Sequence, residues 1–346
     1  MQKLQDSLKQ YKAKLDGTTL YNHNEDLIDI LEQLNIPDEV KEQMNKIIWF
    51  HDIGKVVDSF QNNIENTHRK VRHEMLSASI KGLTEEEMLV ILTHHKSLKD
   101  ILERFKVYGD EYLSELKELQ DKLNIEVVDI RQKLKKYYKK QGRSILKEKK
   151  LIYLKGLLNY CDHIGSSSIK TIENGTDMNR IFKFEEYSSV QEEAKLVDDD
   201  IIIISPTGSG KTEASLYWAS NIDKTNKNRI FYILPYCASI TAMYNRLKKK
   251  DLSVGMLHSK ALYFLYKDNE DYEGAKEQYQ AFKYFTKHIT IATTHQIFKA
   301  LFNCKFNEMM LSIFKHSTFI IDEIHCYNEK EVALILTSLK YLKEYY

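Results

Sequence analysis

The sequence predicts two domains of different class, an all-α domain followed by an α/β domain with a parallel sheet. Apolar residues recur at helical spacing from residue 1 to about 165, without a convincing strand pattern. A polar, turn-rich stretch follows at 166–180. Beyond it, short β-branched runs alternate with helical segments, as in a parallel sheet covered by helices on both faces. We therefore expect domains at 1–170 and 186–346, joined by a linker at 171–185.

Composition excludes several classes of protein. The 346 residues are 42% hydrophobic and carry a net charge of +1, which is unlike a disordered chain and sufficient for two packed domains. The four cysteines lie far apart and form no C-x-x-C pair, as in reduced cytoplasmic proteins. No run approaches the roughly eighteen apolar residues of a membrane span, and the N-terminus lacks the apolar core of a signal peptide. We expect a soluble, cytoplasmic protein without a membrane partner.

The helical domain is organised around one predicted helical stretch, residues 44–60, which reads MNKIIWFHDIGKVVDSF. Helical spacing places His51 on the same face as Ile47 and Ile48, so an imidazole and the carboxylate of Asp52 are expected to point into a core. Burying both groups is costly unless each finds a partner. A bound metal ion would satisfy both at once; a histidine satisfied by its neighbouring aspartate is the alternative.

The same kind of polar residue recurs on the apolar faces of other predicted helices. Those residues are His23, His73, the pair His94 and His95, and Asp162. Any one of them is more often an ordinary core residue than a ligand. Together with the His51 and Asp52 pair they place imidazoles and carboxylates on five predicted helices, a pattern that favours a shared metal site.

The motifs HNEDL, FHDIGK, RHEMLSASI, THHKS and CDHIGSS resemble, in content and spacing, the HD nuclease of the CRISPR-associated type I helicase-nucleases. This resemblance implies two divalent ions bridged by Asp52, catalytic roles for His51 and Asp52, and a position for Lys55 near the scissile phosphate. Imidazole-rich coordination suits Mn, Fe, Co or Ni better than Mg, although the ligand types alone do not fix the metal. The implied ligands are His23, His51, Asp52 and Asp162 for one ion, and Asp52, His73, His94 and His95 for the other.

The α/β domain begins with a phosphate-binding loop. The β-branched run Ile201 to Ile204 leads into SPTGSGKT and a predicted helix from Glu213 to Ser220, which is the context that such a loop requires. Glycines let the backbone amides curl around phosphates, Lys211 reaches the outer phosphates, and Thr212 helps to hold magnesium. The predicted cofactor-binding residues of this loop are Thr207, Gly208, Ser209, Gly210, Lys211 and Thr212.

A second nucleotide motif, FIIDEIH, follows a predicted buried strand at 319–321 and resembles the DEAH-like box of superfamily 2 helicases. The resemblance implies that Asp322 binds magnesium through water and that Glu323 polarises the attacking water. Gln191 resembles the adenine-binding glutamine of the same superfamily. A RecA-like domain that binds ATP with Mg is therefore expected, with further strands at 230–234, 254–257 and 289–292.

A basic segment lies within the helical domain. Residues 131–150 contain ten Lys or Arg and the single acid Glu148, interleaved with Tyr137 and Tyr138. Such a segment could follow a phosphate backbone while its rings stack on bases. A solvated helix face is the alternative.

The resemblance also predicts parts that the sequence does not contain. The family continues after DEIH with a strand carrying a Ser-Ala-Thr motif and a second RecA-like domain with an arginine finger. We therefore expect a fragment of a longer helicase-nuclease, or half of a split enzyme completed in trans by the missing C-terminal helicase half. The first RecA-like domain is expected to be incomplete, because the missing strand would lie between those carrying the phosphate-binding loop and DEIH. ATP hydrolysis is expected only with the second domain, since it needs a cationic group from there.

The function implied by the resemblance is metal-dependent cleavage of single-stranded DNA. In the complete enzyme it would be coupled to an ATP-dependent 3'-5' DNA translocase in CRISPR interference, an antiviral defence, with a guide-RNA surveillance complex as partner. Two other functions stay open from the residues alone. One is a binding or regulatory fragment that docks to a larger CRISPR assembly, and the other is an HD phosphohydrolase of small nucleotides.

Overall fold

The structure is a computed structural model, and it describes residues 2–64, 72–95, 111–141, 148–176, 178–182, 187–302 and 307–345, with the single residues 101, 103 and 109. It divides into two compact units, Met1–Lys170 and Thr171–Tyr346. Among the described residues the first unit is helical, with isolated bridges as its only extended pairing, and the second contains a parallel sheet of four strands. The predicted change from helical to α/β structure is confirmed. The end of the predicted linker, 183–185, lies outside the described residues.

The helices of the first unit are α1 Gln2–Ser7, α2 Leu20–Gln33, α3 Asp38–His51, α4 Asp58–Gln61, α5 His73–Ser77, α6 Glu85–Thr93, α7 Glu111–Leu123, α8 Arg131–Gln141 and α9 Lys149–Gly165. Helices α2, α3, α6 and α9 pack against one another around a core of buried aliphatic side chains. Thr19 begins α2 by accepting a hydrogen bond from the Asn22 amide, and a capping box formed by Thr84 and Glu87 begins α6. These four helices, together with the residues directly after α3 and α6, carry six of the seven predicted metal ligands.

The predicted helix at 44–60 is not continuous. Helix α3 ends at His51, Asp52 leaves the helical conformation with φ −111° and ψ 6°, and a 3-10 turn covers Ile53–Val56. The break coincides with a close approach at Gly54, where an added Cβ would lie 2.3 Å from the His73 carbonyl oxygen. An uninterrupted helix was therefore wrong, because the chain turns where it must pass against α5.

The basic segment is only partly described. Residues 131–141 form α8, while residues 142–147 and the side chain of Tyr138 lie outside the described part. Tyr137 is 5% exposed, and its hydroxyl donates a hydrogen bond of 2.9 Å to Glu148. The predicted stacking of Tyr137 on bases was therefore wrong, because its ring is packed inside the unit.

The second unit contains helices α10 Met178–Ile181, α11 Ser189–Ala194, α12 Lys211–Ile222, α13 Cys237–Lys248, α14 Ala261–Asn269, α15 Tyr272–Lys283, α16 Thr294–Phe298, α17 Asn307–Phe314 and α18 Glu329–Tyr345. Its strands are β1 Ile230–Ile233, β2 Val254–Leu257, β3 Ile289–Ala292 and β4 Thr318–Ile321, in the parallel order β2-β3-β1-β4. β1 is central and fully buried, as its apolar sequence predicts. The carboxyl ends of all four strands meet at one edge of the sheet, where Asp322 follows β4.

The predicted strand Ile201 to Ile204 is not a strand. This run has no regular structure, and the side chains of Ile202 and Ile204 are 90% and 91% exposed. The run stays beside the unit because the Trp218 indole donates to the Asp199 carbonyl and Lys343 binds the Asp200 carboxylate. β-branched residues form a strand only where a neighbouring strand supplies ladder hydrogen bonds. β4 is the last described strand on its side of the sheet, so the run is not paired with it in the described sheet.

Candidate metal centre and nucleotide-binding loop

Seven side chains of the helical unit come together around the buried carboxylate of one of them, Asp52. They come from α2, the end of α3, the start of α5, the end of α6 and α9, and we call them the histidine-aspartate cluster: His23, His51, Asp52, His73, His94, His95 and Asp162. Every predicted metal ligand is among them. Helical periodicity identified the ligands that are buried, such as His23 and His51. The placement of His95 on an apolar face was wrong, because this residue lies beyond the end of α6 and is exposed.

Asp52 lies between two groups of imidazoles. Its Oδ2 atom is 3.6 Å from His23 Nε2 and 3.4 Å from His51 Nε2, whereas its Oδ1 atom is 3.1 Å from His73 Nε2 and 3.9 Å from His94 Nε2. Asp162 extends the first group, with its Oδ1 atom 3.4 Å from His23 Nε2. His95 extends the second group, its ring centroid 5.3 Å from that of His73. One carboxylate thus offers a different oxygen to each side.

Backbone carbonyls orient two of these rings. His51 Nδ1 lies 2.6 Å from the Ile48 carbonyl oxygen, and His94 Nδ1 makes the corresponding short contact with the Ile91 carbonyl. A ring nitrogen facing a carbonyl oxygen at this distance must carry the proton and donate it. The lone pair of Nε2 in the neutral ring then points into the cluster, as in a metal-binding histidine.

The unsatisfied atoms of the cluster fit a bound cation. His51 Nε2, His73 Nε2, His94 Nε2 and Asp52 Oδ1 are buried and have no hydrogen-bond partner, although they lie close to one another. Buried polar atoms without a partner are rare because each costs free energy. Within the described residues, donor atoms lying within 4.8 Å of one another form two groups that share Asp52: one with His73, His94 and His95, and one with His23 and His51. A donor set of this kind can bind divalent ions.

Charge interactions set the protonation of the cluster. Burial alone would raise the pKa of Asp52, but the Lys55 ammonium and the His51 ring outweigh burial and hold that pKa well below its usual range. Burial, reinforced by the neighbouring imidazoles, lowers the pKa of His94 far below normal and that of His95 to about 4. Near neutral pH, Asp52 is therefore charged and the His94 and His95 rings are neutral, which is the form that binds metals. His51 differs, because Asp52 raises its pKa despite burial, so a cation would have to displace a proton there.

Lys55 and Glu74 contact the cluster from outside. Lys55 Nζ lies 2.6 Å from Asp52 Oδ2, so the residue predicted to face the scissile phosphate is paired here with the central carboxylate. Glu74 was missed from the sequence. It is buried, and its Oε2 atom is 3.7 Å from His73 Nδ1, the ring nitrogen that faces away from Asp52. The sequence signal that could have identified Glu74 is its position directly after the histidine in the run RHE.

The phosphate-binding loop adopts a conformation that depends on glycine. Gly208 and Gly210 have φ of 82° and 83°, in the left-handed region. Lys211 starts α12, and its Nζ atom donates to the Ser205 and Pro206 carbonyls at 2.7 and 2.9 Å. The loop therefore curls around the lysine ammonium, and the amino terminus of a twelve-residue helix lies directly behind it.

Gln191 lies against this loop. It is 4% exposed and closes a capping box with Ser188, and its amide is so close to Gly210 that an added Cβ would lie 2.3 Å from Gln191 Nε2. The Ser188 hydroxyl also donates to the Ser209 carbonyl at 3.3 Å. The segment predicted to bind adenine is thus fixed next to the phosphate loop.

Tyr232 joins the two nucleotide motifs. Its hydroxyl donates a 2.6 Å hydrogen bond to Asp322 Oδ2 and also contacts Thr212, so the two predicted magnesium residues share one neighbour. Burial, with the Asp322 charge, raises the pKa of this phenol well above its usual value. Asp322 Oδ1 accepts from the Glu323 amide at 2.8 Å. Tyr232 was not predicted, because in the sequence it is indistinguishable from a core residue of β1.

Comparison with known proteins defines first the class of the second unit. Residues 188–345 match the family model described as DEAD/DEAH box helicase. The second unit is therefore similar to DEAD/DEAH box helicase domains, in agreement with the phosphate-binding loop and the DEIH box. No helix in the described part of the chain has the length and apolar character needed to cross a bilayer.

The chain as a whole is similar to CRISPR-associated nuclease/helicases. It is 24% identical over 372 aligned residues, 85% of this chain and 51% of the relative, to a Cas3 nuclease/helicase of Methanocaldococcus jannaschii. It is 25% identical over 151 residues, 42% of this chain and 18% of the relative, to Cas3 of Methanothermobacter thermautotrophicus. The crystal structure of T. fusca Cas3 shares the fold, with a TM-score of 0.63 at 16% identity, covering 97% of this chain and 48% of that one. The predicted resemblance is confirmed: the chain is Cas3-like, and it spans about half the length of the M. jannaschii and T. fusca proteins.

Proposed function

We propose that this chain carries a metal-dependent deoxyribonuclease of the HD type, which cleaves single-stranded DNA at the histidine-aspartate cluster. The observation that supports this proposal most strongly is the central position of Asp52, whose two oxygens face two separate groups of imidazoles. Such an arrangement suits two divalent ions a few ångströms apart, which is the pattern of two-metal phosphodiester hydrolysis. The similarity to proteins named nuclease/helicase is consistent with it.

The proposed ion sites follow the two halves of the cluster. One ion would be held by His23, His51, Asp52 and Asp162, and the other by Asp52, His73, His94 and His95. Bound there, Mn, Fe, Co, Ni or Mg would supply Lewis acidity toward a phosphodiester. The protein contributes fixed imidazole orientation through the Ile48 and Ile91 carbonyls and a charged Asp52.

Lys55 is proposed to bind the substrate. Its ammonium now pairs with Asp52, and a bound cation would compete for the same Oδ2 atom. A lysine released in this way is flexible enough to reach a phosphate oxygen and hold the scissile group by charge. In this proposal His51 and Asp52 are the catalytic residues, because their position and charge hold the ions beside the reacting phosphate.

The helicase domain is proposed to bind ATP with Mg. Lys211 would contact the outer phosphates. Thr212 and Asp322, which the Tyr232 hydroxyl connects, would hold the magnesium ion. Glu323 would polarise the attacking water and Gln191 would contact adenine. Hydrolysis of ATP is proposed only together with a second helicase domain, because a cation from that side stabilises the transferring phosphoryl group.

In the whole protein, the nuclease is proposed to act on single-stranded DNA delivered by 3'-5' translocation. A guide-RNA surveillance complex would open the target and recruit the enzyme in the cytoplasm, as part of antiviral CRISPR interference. The chain here would supply the nuclease and the first helicase domain. The second helicase half would be joined to it or supplied in trans.

Cleavage of labelled single-stranded DNA by this chain tests the proposal. We expect cutting that requires Mn²⁺ or another divalent ion, stops with a chelator and is lost in Asp52→Ala. Asp121→Ala, which removes an exposed carboxylate on α7, is the matched control and should cut normally. Metal-dependent cutting that survives Asp52→Ala would contradict the assignment of the cluster.

Two alternative functions have distinct outcomes in the same assay. Faster turnover of mononucleotides than of polymer would indicate a phosphohydrolase of small nucleotides. Bound ions without turnover of either substrate would indicate a binding or regulatory module that docks to a larger assembly.

A further inference from the structure

A second group of metal-binding side chains lies in the helicase domain, immediately after β4. The Glu323 carboxylate, the His325 imidazole and the Cys326 thiol each offer a donor atom, and these atoms all lie within 4.8 Å of one another. His325 Nε2 is 3.3 Å from Glu323 Oε2. No member of this group belongs to the histidine-aspartate cluster.

The backbone explains why residues so close in sequence face the same point. Glu323 has φ 53° and ψ 39°, in the left-handed region that a non-glycine residue seldom adopts. A 3-10 turn, Ile324–Cys326, follows at once. The sharp reversal at Glu323 brings its carboxylate over the turn that carries His325 and Cys326.

The group is accessible from solvent. The His325 and Glu323 side chains are 75% and 46% exposed, and Cys326 is an exposed free cysteine. The Tyr236 phenol is beside Cys326, and this neighbour is the main cause of the raised pKa of Tyr236. An ion from solution could therefore reach all three donors without opening the core.

The donor types select among metals. A thiolate, an imidazole and a carboxylate form a mixed S, N and O set that suits Zn²⁺ and leaves a fourth position for water. Mg²⁺ prefers oxygen ligands in octahedral geometry, so this set disfavours it. Zinc bond lengths of about 2.0–2.3 Å place tetrahedral donors about 3.3–3.8 Å apart. The separation of His325 Nε2 and Glu323 Oε2 is already within that range, and a change of side-chain rotamer can bring in the Cys326 sulfur.

We propose that Glu323, His325 and Cys326 form a binding site for Zn²⁺ on the helicase domain. The site has a regulatory consequence, which rests on the proposed function of Glu323 in ATP hydrolysis. A carboxylate that ligates zinc cannot polarise the attacking water, so zinc inhibits the motor while it is bound. The metal site itself does not depend on that role.

Cobalt substitution tests the site, because Co²⁺ bound to a thiolate gives a sulfur-to-metal charge-transfer band in the near ultraviolet. The histidine-aspartate cluster contains no cysteine, so the band does not report on ions bound there. We expect the unaltered chain to show the band and added Zn²⁺ to bleach it. Cys326→Ser should remove the band, and His325→Gln should weaken cobalt binding at least about tenfold.

Cys237→Ala is the matched control, because it removes another accessible thiol and should leave the band unchanged. Absence of the band in the unaltered chain, or its persistence in Cys326→Ser, would overturn the zinc site. Serine is nearly isosteric with cysteine at this exposed position, and circular dichroism of the variant checks that it is folded.

The regulatory consequence has a separate test in an assembly that hydrolyses ATP. Zn²⁺ should inhibit hydrolysis by the unaltered protein and should inhibit Cys326→Ser at least about tenfold more weakly. Equal inhibition of both would overturn the regulatory role. A protein without ATPase activity would count against the proposed function of the domain, whereas the cobalt band would still decide the metal site.

Discussion

At the scale of single residues, Asp52 is the group on which the candidate metal centre depends. It contacts imidazoles of α2, α3, α5 and the end of α6, and each of its oxygens faces a different pair. Burial of a charged carboxylate is unfavourable unless neighbours compensate for it, and here Lys55 and the rings do so. The same compensation makes Asp52 available as an anionic bridge at neutral pH.

Substitution of individual ligands should separate the two proposed ions. Asp52→Ala should reduce bound Mn²⁺ from two ions to about none, because it removes the one shared ligand. His23→Ala should weaken mainly one ion and His94→Ala mainly the other, each by at least about tenfold. Metal content after dialysis measures the number of bound ions, and isothermal titration measures their affinities. Equal loss of both ions in all three variants would contradict the division of the cluster.

His288 should make the α/β unit sensitive to acid. Its ring is buried against Gly175, and burial, with Arg229, lowers its pKa to about 4. An unfolded histidine titrates near pH 6.5, so between about pH 6.5 and 4 the unfolded state binds more protons and stability falls as pH falls. The full loss is about 3 kcal/mol, at 1.36 kcal/mol per pKa unit.

His288→Gln tests this residue by its pH slope, since the substitution itself changes stability at every pH. Chemical unfolding at pH 7 and pH 4.5 should show a smaller pH-dependent loss for the variant than for the unaltered chain. Parallel loss in the two proteins would show that His288 does not contribute.

At the scale of secondary structure elements, the break after α3 determines the position of His73. Gly54 in the 3-10 turn approaches the backbone of α5 so closely that its amide donates to Ser77 Oγ at 2.8 Å. This contact places the His73 ring opposite Asp52 Oδ1. The turn is therefore as important to the cluster as the helices that supply its ligands.

Gly54→Ala should disturb both stability and metal binding. The new Cβ would lie 2.3 Å from the His73 carbonyl oxygen and 2.8 Å from Leu76 Cβ, so α5 must shift. We expect a loss of about 1–3 kcal/mol in unfolding free energy and weaker binding of the ion on the His73 side. In Gly17→Ala, the control, the added Cβ meets no atom within 4 Å, so only backbone strain is introduced and metal affinity should not change. Unaltered metal affinity in Gly54→Ala would show that α5 does not need this contact.

The sequence predicted elements well where local pattern and packing agree. Helices α2, α6 and α9 follow their apolar periodicity, and the four strands coincide with β-branched runs to within about one residue. The run Ile201 to Ile204 has the same composition as those strands, but a strand also needs a neighbour, and composition does not report one. The end of α3 at His51 depends on the close approach of Gly54 to α5, whose residues lie more than twenty positions after His51. Helical periodicity is a local pattern and carries no information about such a distant contact.

The sequence also identified most of the candidate site, for a physical reason. A polar residue on an apolar stripe conflicts with its surroundings, and His23 and Asp162 were visible for that reason. Glu74 was missed because it is adjacent to His73, which was already assigned as a ligand. Tyr232 was missed because its sequence context is that of a core residue. The pairing of Lys55 with Asp52 was equally inaccessible, since it depends on a rotamer in the folded chain.

At the scale of the whole molecule, the chain combines two units with separate chemistry, a helical one that contains the cluster and an α/β one that contains the nucleotide motifs. Lys211→Ala should therefore leave metal-dependent cutting of naked single strands unchanged. In an assembly that also contains the second helicase half, the same change should abolish ATP-dependent cutting of duplex DNA, because the lysine is the proposed contact to the outer phosphates.

Gel assays of single-stranded and duplex substrates measure the two activities side by side. Lys224→Ala, at an exposed lysine just after α12, is the matched control and should retain both. Parallel loss of both activities in Lys211→Ala would show that the units do not act separately.

The central claim is that one carboxylate is shared by two ions, and anomalous diffraction from crystals grown with Mn²⁺ tests it most directly. The account predicts two anomalous peaks in the helical unit, both bonded to Asp52, one on the side of His23 and Asp162 and the other on the side of His73 and His94. A single peak, or ions bonded to other residues with Asp52 left unligated, would contradict it.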